Sequence, residues 1–144
     1  MPRHLRAFPV AALAVLALPL ALLAQAPQPT PQPAPEIYFR APADGATVTR
    51  TFAVEFGLRN YGVAPAGVRL ANTGHFHVLI NVEPAAAGEI IPADSLHRHY
   101  GAGQIETTLS LAPGTYTLRL VLADHEHRVI GPPLISRPIR ITVR

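Results

Sequence analysis

The sequence predicts an all-β fold, an immunoglobulin-like antiparallel β-sandwich of about six or seven short strands. Three observations carry that prediction. Apolar and polar residues alternate with a period of two in several short runs. Gly- and Pro-rich turn signals separate those runs. No stretch of the body keeps the periodicity of an amphipathic helix.

Taken in order, the chain opens with a targeting pattern. Arg3 and Arg6 precede an apolar run over residues 7–24, broken only by Pro9 and Pro19. A charged segment followed by an apolar one is the order of a secretory signal peptide, assigned to residues 1–26. Ala24, Gln25 and Ala26 fit a small-x-small cleavage site, with cleavage after Ala24 as the alternative. An uncleaved anchor competes with this reading, because the apolar run is about long enough to span a bilayer. The protein is therefore expected to be exported, periplasmic or secreted, with an N-terminally membrane-anchored form as the alternative. Its membrane contact is expected to be transient, through the signal peptide only. Residues 27–35 alternate Pro with small or polar residues, which favours an extended polyproline II linker without a core of its own.

Residues 36–144 form the predicted sandwich domain. Residues 36–40 read as a first strand, with Ile37, Tyr38 and Phe39 in a row. Residues 41–45 form a turn in which Pro42 presets one dihedral angle and Gly45 supplies a positive one. The Pro-x-x-Gly phrase resembles the opening of many immunoglobulin-like domains. Residues 51–59 alternate, with Phe52, Val54, Phe56 and Leu58 on one face. Residues 60–73 form a long irregular connection. Residues 74–82 are the next strand, with Phe76, Val78, Ile80 and Val82 facing the core and His75, His77, Leu79 and Asn81 facing away. Residues 83–93 form a loop, and Asp94 is a plausible cap for one short helical turn to His97. Strands follow over residues 104–111, 115–123 and 134–144. Tyr116 stands where a tyrosine corner would place its ring.

Composition excludes several functions. The chain has 144 residues and no cysteine, which removes disulfides, thiolate metal sites, thiol nucleophiles and a lipidated N-terminal Cys. The formal net charge is +3, two of it from Arg3 and Arg6, and all basic residues are Arg. The body lacks the basic, aromatic-interleaved stretches of a nucleic-acid binder. No nucleic-acid partner is expected, and the domain is expected to be a monomer. It contains no Gly-x-Ser-x-Gly, His-Glu-x-x-His or phosphate-loop motif, so a binding module is expected rather than an enzyme.

The distinctive feature is histidine spacing. Six of the seven histidines form three His-x-His pairs: His75/His77, His97/His99 and His125/His127. On a strand, residues i and i+2 project from one face about 6.5–7 Å apart, close enough for two imidazoles to share an ion. The other two pairs are placed at loop edges, where spacing constrains less.

At these pairs the chain resembles a bacterial family known as domain of unknown function 4399. The matching phrases are residues 62–67 (GVAPAG), 72–81 (NTGHFHVLIN), 91–107 (IPADSLHRHYGAGQIET), 111–127 (LAPGTYTLRLVLADHEH) and 132–136 (PPLIS). The likeness runs over roughly residues 52–143. It implies an exported, sandwich-like domain and no assigned activity. The chain departs from the family pattern at five positions. Phe76 replaces the middle of three consecutive histidines. Asn81 stands for an acid, Ala123 for a glycine and Ile130 for a histidine, and His125 is extra. His75, His77, His97, His99, His127 and Asp124 remain at matching positions.

Those six residues are the candidate metal ligands, with His125 and Tyr100 as additional candidates. Tyr100 is read first as a ring packed over the 101–103 turn. Imidazoles without thiolates suit Zn²⁺, Cu²⁺ or Ni²⁺, and the absence of Cys or a Met-rich tract argues against a dedicated Cu(I) site. Asp124 could ligate directly or fix an imidazole tautomer. Two other readings stand beside the metal site. The histidines could bond loop backbone as a metal-free clamp in an interaction or structural domain. Arg98 and Arg128 could instead bind an anionic or organic ligand, or pair with Asp124 or Glu126 on the surface. The site is expected on the domain's surface.

Overall fold

The computed structural model describes residues 33–144. The signal-peptide assignment and most of the predicted linker lie outside the described residues. The protein is all-β, with nine strands and no helix among the described residues. In chain order these are β1 (Glu36–Ala41), β2 (Thr47–Val48), β3 (Thr51–Arg59), β4 (Gly62–Val63), β5 (Thr73–Ile80), β6 (His97–Tyr100), β7 (Glu106–Ser110), β8 (Gly114–Ala123) and β9 (Ile139–Val143). The predicted strand over residues 134–144 is shorter, and the two-residue strands β2 and β4 fall in connections that carry no alternation.

The strands make two sheets. β1, β3 and β7 pair antiparallel in that order. The larger sheet runs β2-β9-β8-β5-β4, with β6 also paired to β5. The longer strands β5, β8 and β9 pair antiparallel, whereas the short strands β2 and β4 run parallel to their neighbours.

The core lies between the sheets, as period-two alternation requires. Ile37, Phe52, Val54, Phe56 and Leu109 pack against Phe76, Val78, Ile80, Leu118, Leu120, Leu122, Ile139, Ile141 and Val143. Phe56 and Phe76 bridge the sheets with ring centroids 4.9 Å apart. The turn after β1 has Gly45 at φ +79° and is tied to β9, where Gly45 N–H donates to the Arg140 carbonyl at 2.7 Å. Tyr116 Oη donates to the Ala112 carbonyl at 3.0 Å, the kind of upstream backbone bond a tyrosine corner makes.

β5 and β8 are buried on both faces. Leu79, Val121 and Ala123 form a second, smaller core with Ile91 and Val129 on the side away from the main one. Two loop segments cover this outer face. Gly88 N–H donates to the Val129 carbonyl, Val129 N–H to Glu89, and Ile91 N–H to His127. The covering explains a correction. On the face expected to point outward, Asn81 is exposed but His75, His77 and Leu79 are buried, the two histidines 0% and 2% exposed.

Candidate metal centre

β5 presents His75, His77 and Leu79 on its outer face. β6 pairs beside it, with His77 opposite His99 and Leu79 opposite His97. Residues directly opposite in an antiparallel pair share a face, so His99 joins the two β5 histidines. The predicted helical turn is absent. Asp94 instead caps a non-helical turn, accepting from Leu96 N–H at 2.8 Å and His97 N–H at 3.1 Å. The His97/His99 pair thus belongs to a strand rather than to a loop edge.

The fourth ring arrives from the loop after β8. Asp124 N–H donates to the Arg128 carbonyl, and Asp124 Oδ1 accepts from the N–H groups of Glu126 and Arg128, each at 2.9 Å. This closed turn puts His127 at φ +65°, a conformation non-glycine residues seldom adopt. The turn carries the His127 ring to within 4.9 Å of His75 and 4.8 Å of His99, centroid to centroid.

The four rings form one cluster. His75 Nε2 lies 3.0 Å from His77 Nε2, and His127 Nε2 lies 3.2 Å from His99 Nε2. His75, His77 and His99 each offer a nitrogen such that all three lie within 4.8 Å of one another. Two of the sequence pairs therefore converge closely enough to share an ion. Burial, and then neighbouring histidines, pull His75 down to about 4 and His77 to about 3. His99 is lowered as well, by burial first and His127 second. These imidazoles are neutral at neutral pH, the protonation state a cation requires.

The remaining candidates lie elsewhere. His97 shares the outer face, but its Nδ1 is held by Asp94 Oδ1 at 2.8 Å. Hydrogen bonding to His97 depresses the Asp94 carboxyl below its usual value. Asp124 spends Oδ1 on its own turn, the turn that carries His127. Its negative charge favours protonation of His75, against the larger effect of burial. His125 points toward a separate groove with Tyr61 and Arg69. Tyr100 faces the main core, its ring 5.1 Å from that of Phe56, because it alternates with His99. Arg128 pairs loosely with Glu126 at 3.7 Å and donates to the Gly88 carbonyl at 3.0 Å. The site is part surface, as expected, and part interior: His75 and His77 form a buried floor, whereas His99 is exposed. Sequence reasoning missed Asp94 as the partner of His97, although the i, i+3 spacing was a usable signal. It also missed Gly101, whose lack of a side chain makes room for the His99 ring.

The chain belongs to the family described as a domain of unknown function (DUF4399), whose sequence model matches residues 54–144. No curated protein and no solved structure matches it.

Proposed function

We propose that this member of the domain of unknown function 4399 family is an exported binding module that holds a divalent transition metal on His75, His77 and His99, with His127 as fourth donor. One observation carries the reading: neutral imidazole nitrogens from β5 and β6 converge within 4.8 Å. Nitrogens bound at ~2.0–2.1 Å to a tetrahedral Zn²⁺ lie about 3.3–3.4 Å apart. The Nε2 separations of 3.0 and 3.2 Å need little adjustment to reach that. An all-imidazole set favours Zn²⁺, Cu²⁺ or Ni²⁺.

A metal-free clamp is the weaker reading. It needs ring-to-backbone bonds, and none is made by the four rings among the described residues. Their ring bonds are to each other, and Nδ1 of both His75 and His77 is buried without a partner. Binding rather than catalysis is favoured because Asp94 and Asp124 are already engaged by His97 and by backbone amides, and Glu126, the carboxylate beside the cluster, is exposed and 3.7 Å from Arg128. The export reading rests on the Arg3/Arg6 segment and the apolar run behind it.

The test is calorimetric titration of metal-stripped protein with Zn²⁺ and Cu²⁺, beside His75→Ala/His77→Ala. Binding at about micromolar Kd or tighter, abolished in the double variant, is expected. Weak binding that the double variant leaves unchanged would sink the metal reading. For export, the mature N-terminus should begin near Gln25 or Pro27, and a retained Met1 would favour the anchor.

A further inference from the structure

The cluster opens to the surface at His99. A cavity of about 290 Å³ meets the rings of His77, His99 and His127 but not that of His75. His75 is the fully buried ring, so a cation among the four would be closed behind by His75 and reachable from the cavity. The opposite wall is residues 90–93, two isoleucines, a proline and an alanine. Ile90 is 56% exposed, so its side chain is open to cover by a ligand. Glu126 is the one carboxylate lining the cavity.

We infer that the centre is a receptor for a small exogenous ligand, a neutral nitrogen donor with an apolar body, whose nitrogen adds to the metal as a fifth donor beside the four imidazoles and whose body lies on the wall of residues 90–93. The inference rests on the metal reading above. Two features select this chemistry. An all-imidazole centre of borderline softness accepts another nitrogen donor readily. The apolar wall rewards a hydrophobic substituent, at roughly 25 cal/mol per Å² covered. The cavity lies at the lower end of the range for small-molecule sites, which suits a one- or two-ring molecule. It is also anchored: Ile91 N–H donates to the His127 carbonyl, so the wall and one of the rings belong to one hydrogen-bonded unit.

The experiment uses the mature chain loaded with Co²⁺, whose visible spectrum reports added ligands. Imidazole and 4-phenylimidazole are titrated in turn. The expected result is a saturable spectral change with 4-phenylimidazole, at least about tenfold tighter than imidazole. Ile90→Ala should erase the preference for the phenyl compound while imidazole still binds. Ala93→Trp should fill the cavity and weaken both, with Co²⁺ affinity unchanged. A protein that takes up no Co²⁺, Zn²⁺ or Cu²⁺ overturns the metal reading and this inference with it. A protein that binds metal but shows no spectral response to either azole overturns this inference alone. Equal affinity for the two azoles, unaltered in Ile90→Ala, also overturns it.

Discussion

His77 on β5 and His99 on β6 are register partners, their ring centroids 5.0 Å apart on the outer face of the larger sheet. The relationship depends on a residue with no side chain. A methyl group at Gly101 would sit 2.3 Å from Cε1 and 2.4 Å from Nε2 of His99. The ring is at the end of a rotatable side chain, so it can turn away without disturbing the sheet. Gly101→Ala should leave the melting temperature within roughly 3 °C of the parent. It should weaken Zn²⁺ binding by about tenfold or more, because a displaced ring is a lost donor. Calorimetry beside thermal unfolding separates the two effects. Equal loss of both would mean that Gly101 serves the fold rather than the ring.

Phe76 occupies the position where the family resemblance places a histidine. It is fully buried and packs on Phe56 in the main core, facing away from His75 and His77. Phe76→His would therefore put an imidazole among apolar side chains. A cost of about 3 kcal/mol is expected from lost packing and an unpartnered polar ring. Metal affinity should not rise, since the new ring is on the wrong face. Urea unfolding with and without Zn²⁺ tests both statements.

The strands that face the main core are legible in sequence because burial of alternate residues marks them: Phe52, Val54 and Phe56, then Leu118, Leu120 and Leu122, then Ile139, Ile141 and Val143. β6 carries no such mark. Its residues His-Arg-His-Tyr form a strand because β5 offers a free edge, and edge pairing is a backbone matter. The double burial of β5 and β8 is equally hidden, since loops distant in sequence fold over that face. At the site, His-x-His spacing correctly puts His75 and His77 on one side. Spacing does not tell His99, which joins the cluster, from His97, which Asp94 holds. Nor does it tell His127 from His125. That choice is made by a closed Asp124 turn and a positive φ at a residue whose type does not announce one.

That turn gives a separate prediction. If Asp124 positions His127 and does not ligate, its acceptor oxygen matters and its charge does not. Asp124→Ala should lose about 1–2 kcal/mol of stability through two unpaired backbone N–H groups. It should also weaken metal binding by loosening His127. Asp124→Asn keeps an Oδ1 acceptor and should restore most of both. A carboxylate ligand would behave differently, with Asn and Ala equally damaging to affinity. Metal titrations of the two variants distinguish the roles.

The depressed histidines fix the sign of the pH dependence. In the unfolded chain an imidazole titrates near 6.5. In the folded metal-free protein burial lowers His75 to about 4 and His77 to about 3, and lowers His99 as well. Between those values and 6.5 the unfolded chain binds protons that the folded one refuses. Stability is then fully present above about pH 6.5 and falls as pH drops toward 4 and 3. Each unit of depression is worth about 1.4 kcal/mol, so the loss across that window is on the order of several kcal/mol. Urea midpoints measured from pH 8 to pH 4 should show this fall. In His75→Gln/His77→Gln the slope should be much shallower, because the groups that resist protonation are gone. Saturating Zn²⁺ should steepen the fall in the parent, since protons compete with the cation for the same nitrogens, and should leave the double variant unaffected. A parent whose stability is flat from pH 7 to pH 4 would mean that these rings meet water in solution, and the buried neutral cluster would not stand.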